Sequence, residues 1–158
     1  TEYRFNLKTG EASELIIDDS CAESPGINSA YFGIKNRYSY NSLVPEIPFF
    51  LHNGIQKFDY QEMRETDRYM LPEGKFMQQP VFAPRADSKD EDDGYLVAYV
   101  GDKKETEVYI WNAKKVSEVP IARVQLPQWV PFGSHAYWGR GSDIREAQER
   151  NQRNKTAP

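Results

Sequence analysis

Short runs of alternating apolar and polar residues recur along this chain, and Gly, Pro, Asn and Asp residues separate them. Alternation with a period of two residues is typical of β-strands that bury one face, and the separating residues favour turns. By this criterion strands are predicted in five ranges, namely 31–40, 48–51, 81–84, 95–100 and a last one near 134–138. The pattern as a whole predicts an all-β fold.

A longer pattern repeats three times within the same chain. A strand-like run ends in an aromatic residue followed by Asn6, Asp59 or Asn112, and both intervals between these positions are 53 residues. A second strand-like run follows each turn, in the ranges 12–17, 66–71 and 120–126. Asn and Asp are frequent at such points because their side-chain oxygen accepts hydrogen bonds from the backbone that follows.

A period near 50 residues, mostly strand, is the size of one four-stranded blade of a β-propeller. The alternative is that three hairpins fell at equal spacing by chance. On the repeat interpretation the chain holds about three blades, which is fewer than a closed propeller needs. Further blades are therefore expected upstream of Thr1.

The last part of the chain has a different character. Residues 139–158 are mostly polar, and 142–150 is the stretch that suits a helix. We predict two parts, with residues 1–138 forming the blades and residues 139–158 forming a tail that has a short frayed helix and is then disordered.

Composition and charge exclude several classes of protein. Aromatic residues make up 13% of the chain, which favours β-structure. The net charge is −4 without a basic cluster, so no nucleic-acid partner is expected. The single cysteine, Cys21, excludes an intrachain disulfide framework and suits a reducing compartment. No apolar run has the length of a membrane span, and no signal peptide is evident, so a cytoplasmic location is expected.

Few residues of this chain could carry chemistry. His52 lies at a turn, where a partly exposed histidine without function is expected, whereas His135 has the small neighbours Ser134 and Ala136. One histidine cannot hold a metal, so a satisfied core histidine is the alternative for His135. The acidic run 87–94 lacks the ligand spacing of a calcium loop and is better explained as a turn before a strand. No nucleophile–histidine set for hydrolysis is present.

Three segments resemble the carotenoid oxygenase family, which includes the retinal pigment epithelial membrane protein. They are QPVFAPRADSKDEDDGYL at 79–96, IARVQLP with VPFGSH at 121–135, and ESPGIN at 23–28 with Tyr38 and Tyr40 after it. The resemblance covers the chain from Thr1 to about Trp138. It implies a seven-bladed β-propeller of which this chain is the C-terminal part, with one Fe(II) ion on the axis of each complete propeller, held by four histidines.

The resemblance assigns roles to three residues of this chain. His135 falls on the last iron-ligating histidine, while the other three are expected upstream of Thr1 and His52 matches none of them. Glutamates of the family accept the far N–H of these imidazoles; Glu23 falls on one such position, and Gln79 falls on another where the family has Glu. A Gln can still accept the N–H but lacks the negative charge, and losses of this kind cost about 10–100-fold in metal affinity or activity.

The resemblance also implies an activity for the full-length protein. The family cleaves a conjugated C=C bond of a carotenoid, apocarotenoid or stilbene-like substrate with O2, and peripheral membrane contact of the full-length protein is compatible with this. No catalytic residue is assigned to this chain, and alone it is expected not to retain iron. The alternative is a truncated or degenerate, non-catalytic propeller fragment that at most binds a ligand or a partner; Gln79, Ser134 and Ala136 favour it.

Overall fold

The computed structural model describes residues 1–46 and 51–156, and antiparallel β-strands dominate it. The strands are β1 Glu2–Phe5, β2 Ala12–Leu15, β3 Ala22–Gly26, β4 Tyr38–Leu43, β5 Gly54–Asp59, β6 Arg64–Met70, β7 Phe76–Met77, β8 Val81–Pro84, β9 Gly94–Gly101, β10 Thr106–Asn112 and β11 Ala122–Gln125. One α-helix, α1 Gly141–Thr156, follows them. The all-β prediction is thus confirmed in its main part, with a helix added.

The strands form three separate sheets. β1 and β2 make a two-stranded hairpin, and β3–β4–β5–β6 make a four-stranded meander. In the third sheet β11, β10 and β9 are neighbours, and β9 pairs with β8 along its first half and with β7 at its end. The two larger sheets have the form expected of propeller blades, and within residues 1–46 and 51–156 the three sheets do not close into a ring. The number of blades stays a prediction.

The three repeated Asn and Asp residues occupy equivalent positions. Each comes at the end of the first strand of a hairpin, and its Oδ1 accepts the backbone N–H two residues further on, at 3.0 Å for Asn6, 2.8 Å for Asp59 and 3.0 Å for Asn112. The 53-residue spacing therefore marks a repeated turn at one end of the three sheets.

The hydrophobic core lies where the four-stranded sheet meets the five-stranded one. Tyr40 of β4 stacks on Phe82 of β8 with ring centroids 5.7 Å apart, and its hydroxyl donates to the carbonyl of Ala113 at 3.1 Å. Trp111 of β10 packs edge-on against Tyr69 of β6 at 5.5 Å. These contacts fix how the two sheets sit beside each other, and so they position the residues at their inner edges.

Two strand predictions need correction. The range 31–40 contains strand only from Tyr38 onward, because Asn28 caps a 3-10 turn at Ser29–Tyr31 and Gly33 has a positive φ of 78°. The range 134–138 has no strand; Ala136 and its neighbours instead border the surface of β8 and β9 without joining a ladder. The predicted strand 48–51 falls mostly outside the described residues.

The tail is more helical than the sequence suggested. Helix α1 covers residues 151–156 as well as the predicted range 142–150. Asp143 in its first turn and Arg153 and Lys155 in its last turn suit the helix dipole, which favours anions at the start and cations at the end. Within residues 1–46 and 51–156 no helix combines the length and apolarity that crossing a membrane requires.

Candidate metal ligand site

The structure brings together His135 and Gln79, two of the three residues singled out from the sequence. Gln79 directly precedes the Pro80 that leads into β8, and His135 lies in the segment after β11. The imidazole Nδ1 of the exposed His135 lies 3.4 Å from Oε1 of Gln79. This contact places an amide behind the ring and leaves Nε2 on its far side.

A second contact orients the Gln79 amide. Its Nε2 donates to the backbone carbonyl of Ser24 at 3.5 Å, which is longer than the usual N–H···O distance of about 2.7–3.2 Å. A carbonyl oxygen only accepts, so the NH2 group of Gln79 faces Ser24 and its oxygen faces His135. With the amide in this orientation the contact favours the tautomer that donates through Nδ1–H, in which Nε2 carries the lone pair that a metal ion requires.

An unusual backbone conformation brings Ser24 to this position. β3 has a bulge between Glu23 and Gly26, and Ser24 within it has φ +48°, a left-handed conformation that is uncommon outside glycine. A Cβ on Gly26 would lie 3.3 Å from the carbonyl oxygen of Pro80, so the absence of a side chain there permits the close approach. The bulge is what carries the Ser24 carbonyl to Gln79.

Three hydrogen bonds fasten the segment that precedes His135. Trp129 Nε1 donates to the Asp102 carbonyl at 3.0 Å, Val130 N–H to Thr106 Oγ1 at 3.0 Å, and Gln78 Nε2 to the Pro131 carbonyl at 3.0 Å. Gln78 is buried, and neither it nor Thr106 was identified from the sequence. The one signal for Gln78 was the pair of adjacent glutamines, which is equally typical of an exposed loop.

Glu23 does not join the hydrogen bonds around His135 in the described residues. It is exposed on β3, where it pairs with Ser42 of β4, and no hydrogen bond joins it to His135 in the part of the chain that the structure describes. Its carboxylate instead acts electrostatically on His52. The role of Glu23 behind a metal-bound histidine stays a prediction.

His52 differs from its expected environment. It was expected at a partly exposed turn, but its exposed fraction is 5%, and its carbonyl accepts the N–H of Met77 at 2.8 Å. Among the described residues its Nδ1 has no hydrogen-bond partner. Burial lowers the pKa of His52, against an opposing and smaller effect of Glu23, so the neutral ring is favoured.

A complete metal site is absent from residues 1–46 and 51–156, since these contain no group of three or more His, Cys, Asp or Glu side chains that could hold an ion. The tautomer of His135 nevertheless fits a histidine ligand. Within these residues His135 is thus a single histidine whose Nε2 is free to face a ligand.

The acidic run 87–94 is used within the fold. The Glu91 carboxylate accepts the backbone N–H groups of Arg37 at 2.8 Å and Tyr38 at 2.7 Å. Three aspartates of the run form ion pairs, namely Asp90 with Lys114, Asp92 with Lys57 and Asp93 with Arg85. These contacts favour a turn over a calcium site. The turn is a long loop between β8 and β9, and it contacts the four-stranded sheet.

Known proteins were compared by family model, by sequence and by structure, and the three comparisons give consistent results. The family model described as retinal pigment epithelial membrane protein matches residues 1–140. The carotenoid 9,10(9',10')-cleavage dioxygenase 1 of Pisum sativum is 35% identical over 161 residues, which cover 92% of this chain and 29% of that protein. The chloroplastic 9-cis-epoxycarotenoid dioxygenase NCED1 of Oryza sativa subsp. japonica is 33% identical over 144 residues, covering 85% of this chain and 22% of that protein.

Solved structures show the same fold. Cobalt-substituted apocarotenoid oxygenase (ACO) of Synechocystis superposes with a TM-score of 0.79 at 22% identity, over 87% of this chain and 29% of that one. A chimera of ACO and RPE65 gives a TM-score of 0.76 at 23% identity, over 84% of this chain and 28% of that one. This chain thus spans less than a third of the length of the relatives it matches.

Proposed function

Because this chain belongs to the carotenoid oxygenase family, which includes the retinal pigment epithelial membrane protein, we propose that it forms the C-terminal blades of a seven-bladed propeller and supplies His135 as one of four histidine ligands to iron. The full-length protein would be a non-haem Fe(II) dioxygenase that cleaves a conjugated C=C bond of a carotenoid, apocarotenoid or stilbene-like substrate with O2. Ferrous iron with open coordination positions supplies the oxygen chemistry when bound.

The observation that carries this proposal is the contact between Gln79 and His135. A metal-ligating histidine almost always donates its other ring N–H to a fixed acceptor, which sets the tautomer and the ring orientation. Gln79 Oε1 provides that acceptor at 3.4 Å, and the Ser24 carbonyl holds the amide with its oxygen towards His135. The work of this chain at the site is thus to hold a proton on Nδ1 of His135 and to present Nε2.

The neutral amide of Gln79 sets how strongly Nε2 of His135 would bind iron. A carboxylate behind the ring would raise the basicity of Nε2 more than an amide does, because it stabilises the positive charge that develops on the imidazole. We expect Gln79 to leave iron bound about 10–100-fold less tightly than the glutamate of the family would. Oxygenase activity of the full-length protein would then depend on iron supply.

The second candidate is a non-catalytic propeller fragment that at most binds a ligand or a partner. Two departures from the family pattern favour it: Gln79 replaces the family's carboxylate, and Ser134 and Ala136 flank His135. The two candidates differ in what precedes Thr1. The oxygenase needs three more histidines there, and the fragment does not.

A measurement of iron binding distinguishes the oxygenase from the non-catalytic fragment. The polypeptide extended upstream through the three expected histidines should bind one Fe(II) under anaerobic conditions and bleach an apocarotenoid in air. Replacement His135→Ala should abolish both, whereas His52→Gln, a change at the histidine outside the site, should preserve them. One iron per chain retained in the His135→Ala protein would refute the ligand role, and an upstream sequence without histidines would establish the second candidate.

A further inference from the structure

A cavity of about 610 Å³ opens where the five-stranded sheet meets the segment that leads to His135. We call it the apolar bowl, and its lining consists of Leu51, Gly74, Phe76, Trp129 and Phe132, with Asp102, Lys103 and Lys104 at the rim. Its volume falls in the range of small-molecule sites, which are mostly apolar with a few placed polar groups. No step of the proposed oxygenase reaction uses these residues.

The floor of the bowl is held in place before any ligand arrives. The indole N–H of Trp129 is engaged by the Asp102 carbonyl at 3.0 Å, and the next residue, Val130, donates its N–H to Thr106 Oγ1 at 3.0 Å. Trp129 as a whole remains 47% exposed while its N–H is engaged, so its apolar atoms are accessible to a ligand. A preformed apolar surface of this kind binds an alkyl or polyene chain without a large loss of its own conformational entropy.

The charged groups at the rim differ in whether they already have partners within the protein. The Asp102 carboxylate already accepts the backbone N–H groups of Lys104 at 2.7 Å and Glu105 at 3.1 Å, and Lys75 lies 3.6 Å away. Lys75 also pairs with the Glu105 carboxylate at 2.7 Å. In contrast, the ammonium groups of Lys103 and Lys104 have no partner among residues 1–46 and 51–156.

We propose that the apolar bowl binds a single-chain amphiphile with an anionic head, such as a long-chain carboxylate, with the chain against Trp129 and Phe132 and the head at Lys103 and Lys104. The bowl excludes a cationic head because both free charges at the rim are positive. The site is independent of iron, since His135 does not line it.

Calorimetry of this chain with decanoate, 1-decanol and decylammonium, each below its micelle concentration, tests the proposal. Decanoate should bind at one site and most tightly, and each methylene added from hexanoate onward should raise the affinity about fourfold. Equal binding of decanoate and 1-decanol would refute the anionic head, and the absence of decanoate binding would refute the site.

Charge reversal at the rim supplies the matched comparison. The double variant Lys103→Glu with Lys104→Glu should bind decanoate about tenfold more weakly and should gain affinity for decylammonium. The double variant Lys8→Glu with Lys35→Glu makes the same charge change at exposed positions elsewhere and should bind like the parent. An equal loss in both double variants would overturn the assignment of the head to the bowl.

Two further measurements distinguish the apolar bowl from the iron site and from a membrane-docking surface. The His135→Ala protein should bind decanoate unchanged, so failure of the iron proposal leaves this one standing. Phosphatidylserine vesicles should bind the chain far more weakly than decanoate does, because a two-chain lipid in a bilayer does not release one chain into the bowl. Binding to the vesicles without binding to decanoate would show a membrane-docking surface and overturn the proposal.

Discussion

At the scale of single residues, the orientation of the His135 ring depends on its contact with the neutral amide of Gln79. The Gln79 side chain connects the Ser24 carbonyl to the imidazole. The Ser24 carbonyl orients the amide, and the amide oxygen in turn orients the ring of His135. The sequence predicted the importance of both side chains through resemblance to a family. It could not predict the part of Ser24, because a left-handed backbone angle at a serine leaves no mark in the pattern of residues.

Replacing Gln79 by Leu should release the tautomer of His135. Leu keeps the approximate size but removes the acceptor, so Nδ1–H loses its partner and the ring should populate both neutral tautomers. Long-range 1H–15N spectra of the two histidines report the tautomer directly. The signals of His52, which lies outside this network, serve as the internal control, and an unchanged His135 spectrum would contradict the assigned contact.

His52 should make stability depend on pH in a defined direction. Its pKa in the folded chain lies below the unfolded value of about 6.5, because burial disfavours the charged ring. Between these two pKa values the unfolded chain binds more protons, so the free energy of unfolding should fall as the pH drops through that window. Above about pH 6.5 the full stability is present.

Urea unfolding of the parent and of His52→Gln between about pH 7.5 and pH 5 measures this effect. The variant should lose less stability on acidification than the parent, since its side chain does not titrate. Parallel pH profiles for the two proteins would show that His52 is not protonated on unfolding.

At the scale of elements, the loop between β8 and β9 joins neighbouring sheets. Glu91 accepts the backbone N–H groups of Arg37 and Tyr38 at the start of β4, and its own carbonyl accepts from Asn28. Asp92 reaches Lys57, whose ammonium is buried and lies 4.4 Å from the Tyr38 ring centroid. This loop therefore holds the four-stranded sheet against the five-stranded sheet.

Glu91→Gln should lower the free energy of unfolding by about 2 kcal/mol, because hydrogen bonds to a charged acceptor are stronger than those to a neutral one. The neighbouring Asp90→Asn removes an ion pair in which the aspartate is 68% exposed, so stability should hardly change. Urea titrations of both variants give the comparison. An equal effect of the two substitutions would indicate that the net charge of the loop matters rather than the contacts of Glu91.

The elements also show where alternation of residues predicts structure and where it fails. β8 coincides with its predicted range, and β9 extends its own by one residue at each end. β9 buries alternate residues along most of its length, whereas in β8 the adjacent Phe82 and Ala83 are both buried. β3 and β7 were missed. β3 contains a bulge at Ser24 and few apolar residues, and β7 has two residues, so neither gives a recognisable alternation of apolar and polar residues.

At the scale of the whole molecule, apolar side chains remain exposed on one outer hairpin. The exposed fraction is 60% for Tyr3, 70% for Phe5 and 97% for Leu7, on and just after β1. Among the strands that the structure describes, β1 pairs with β2 alone, so one edge of each strand is open. Open edges and apolar patches of this kind promote association between chains.

The isolated chain should therefore self-associate or melt at low temperature with poor cooperativity. Sedimentation velocity over a range of concentrations should show species larger than the monomer, and Leu7→Lys should reduce them. Thr9→Lys adds the same charge at a polar position of the same hairpin and should have a smaller effect. A monomer at every concentration with a sharp melting transition would contradict this prediction.

The prediction of a repeated, blade-like arrangement rests mainly on the 53-residue interval. This interval is visible in the sequence because Asn or Asp fixes each turn locally, without contacts from the rest of the fold. The extent of α1 could not be predicted, for the opposite reason. Its residues are polar on nearly every side, so no buried face indicates where the helix ends.

Ser24 and Gln79 also constrain each other chemically. If Glu replaced Gln79 by itself, one carboxylate oxygen would take the place of the NH2 group that faces the Ser24 carbonyl at 3.5 Å, and two acceptors would oppose each other. A carboxylate at position 79 would therefore require the bulge in β3 to turn its carbonyl away, so the backbone of one strand limits which side chain can stand behind the histidine of another segment.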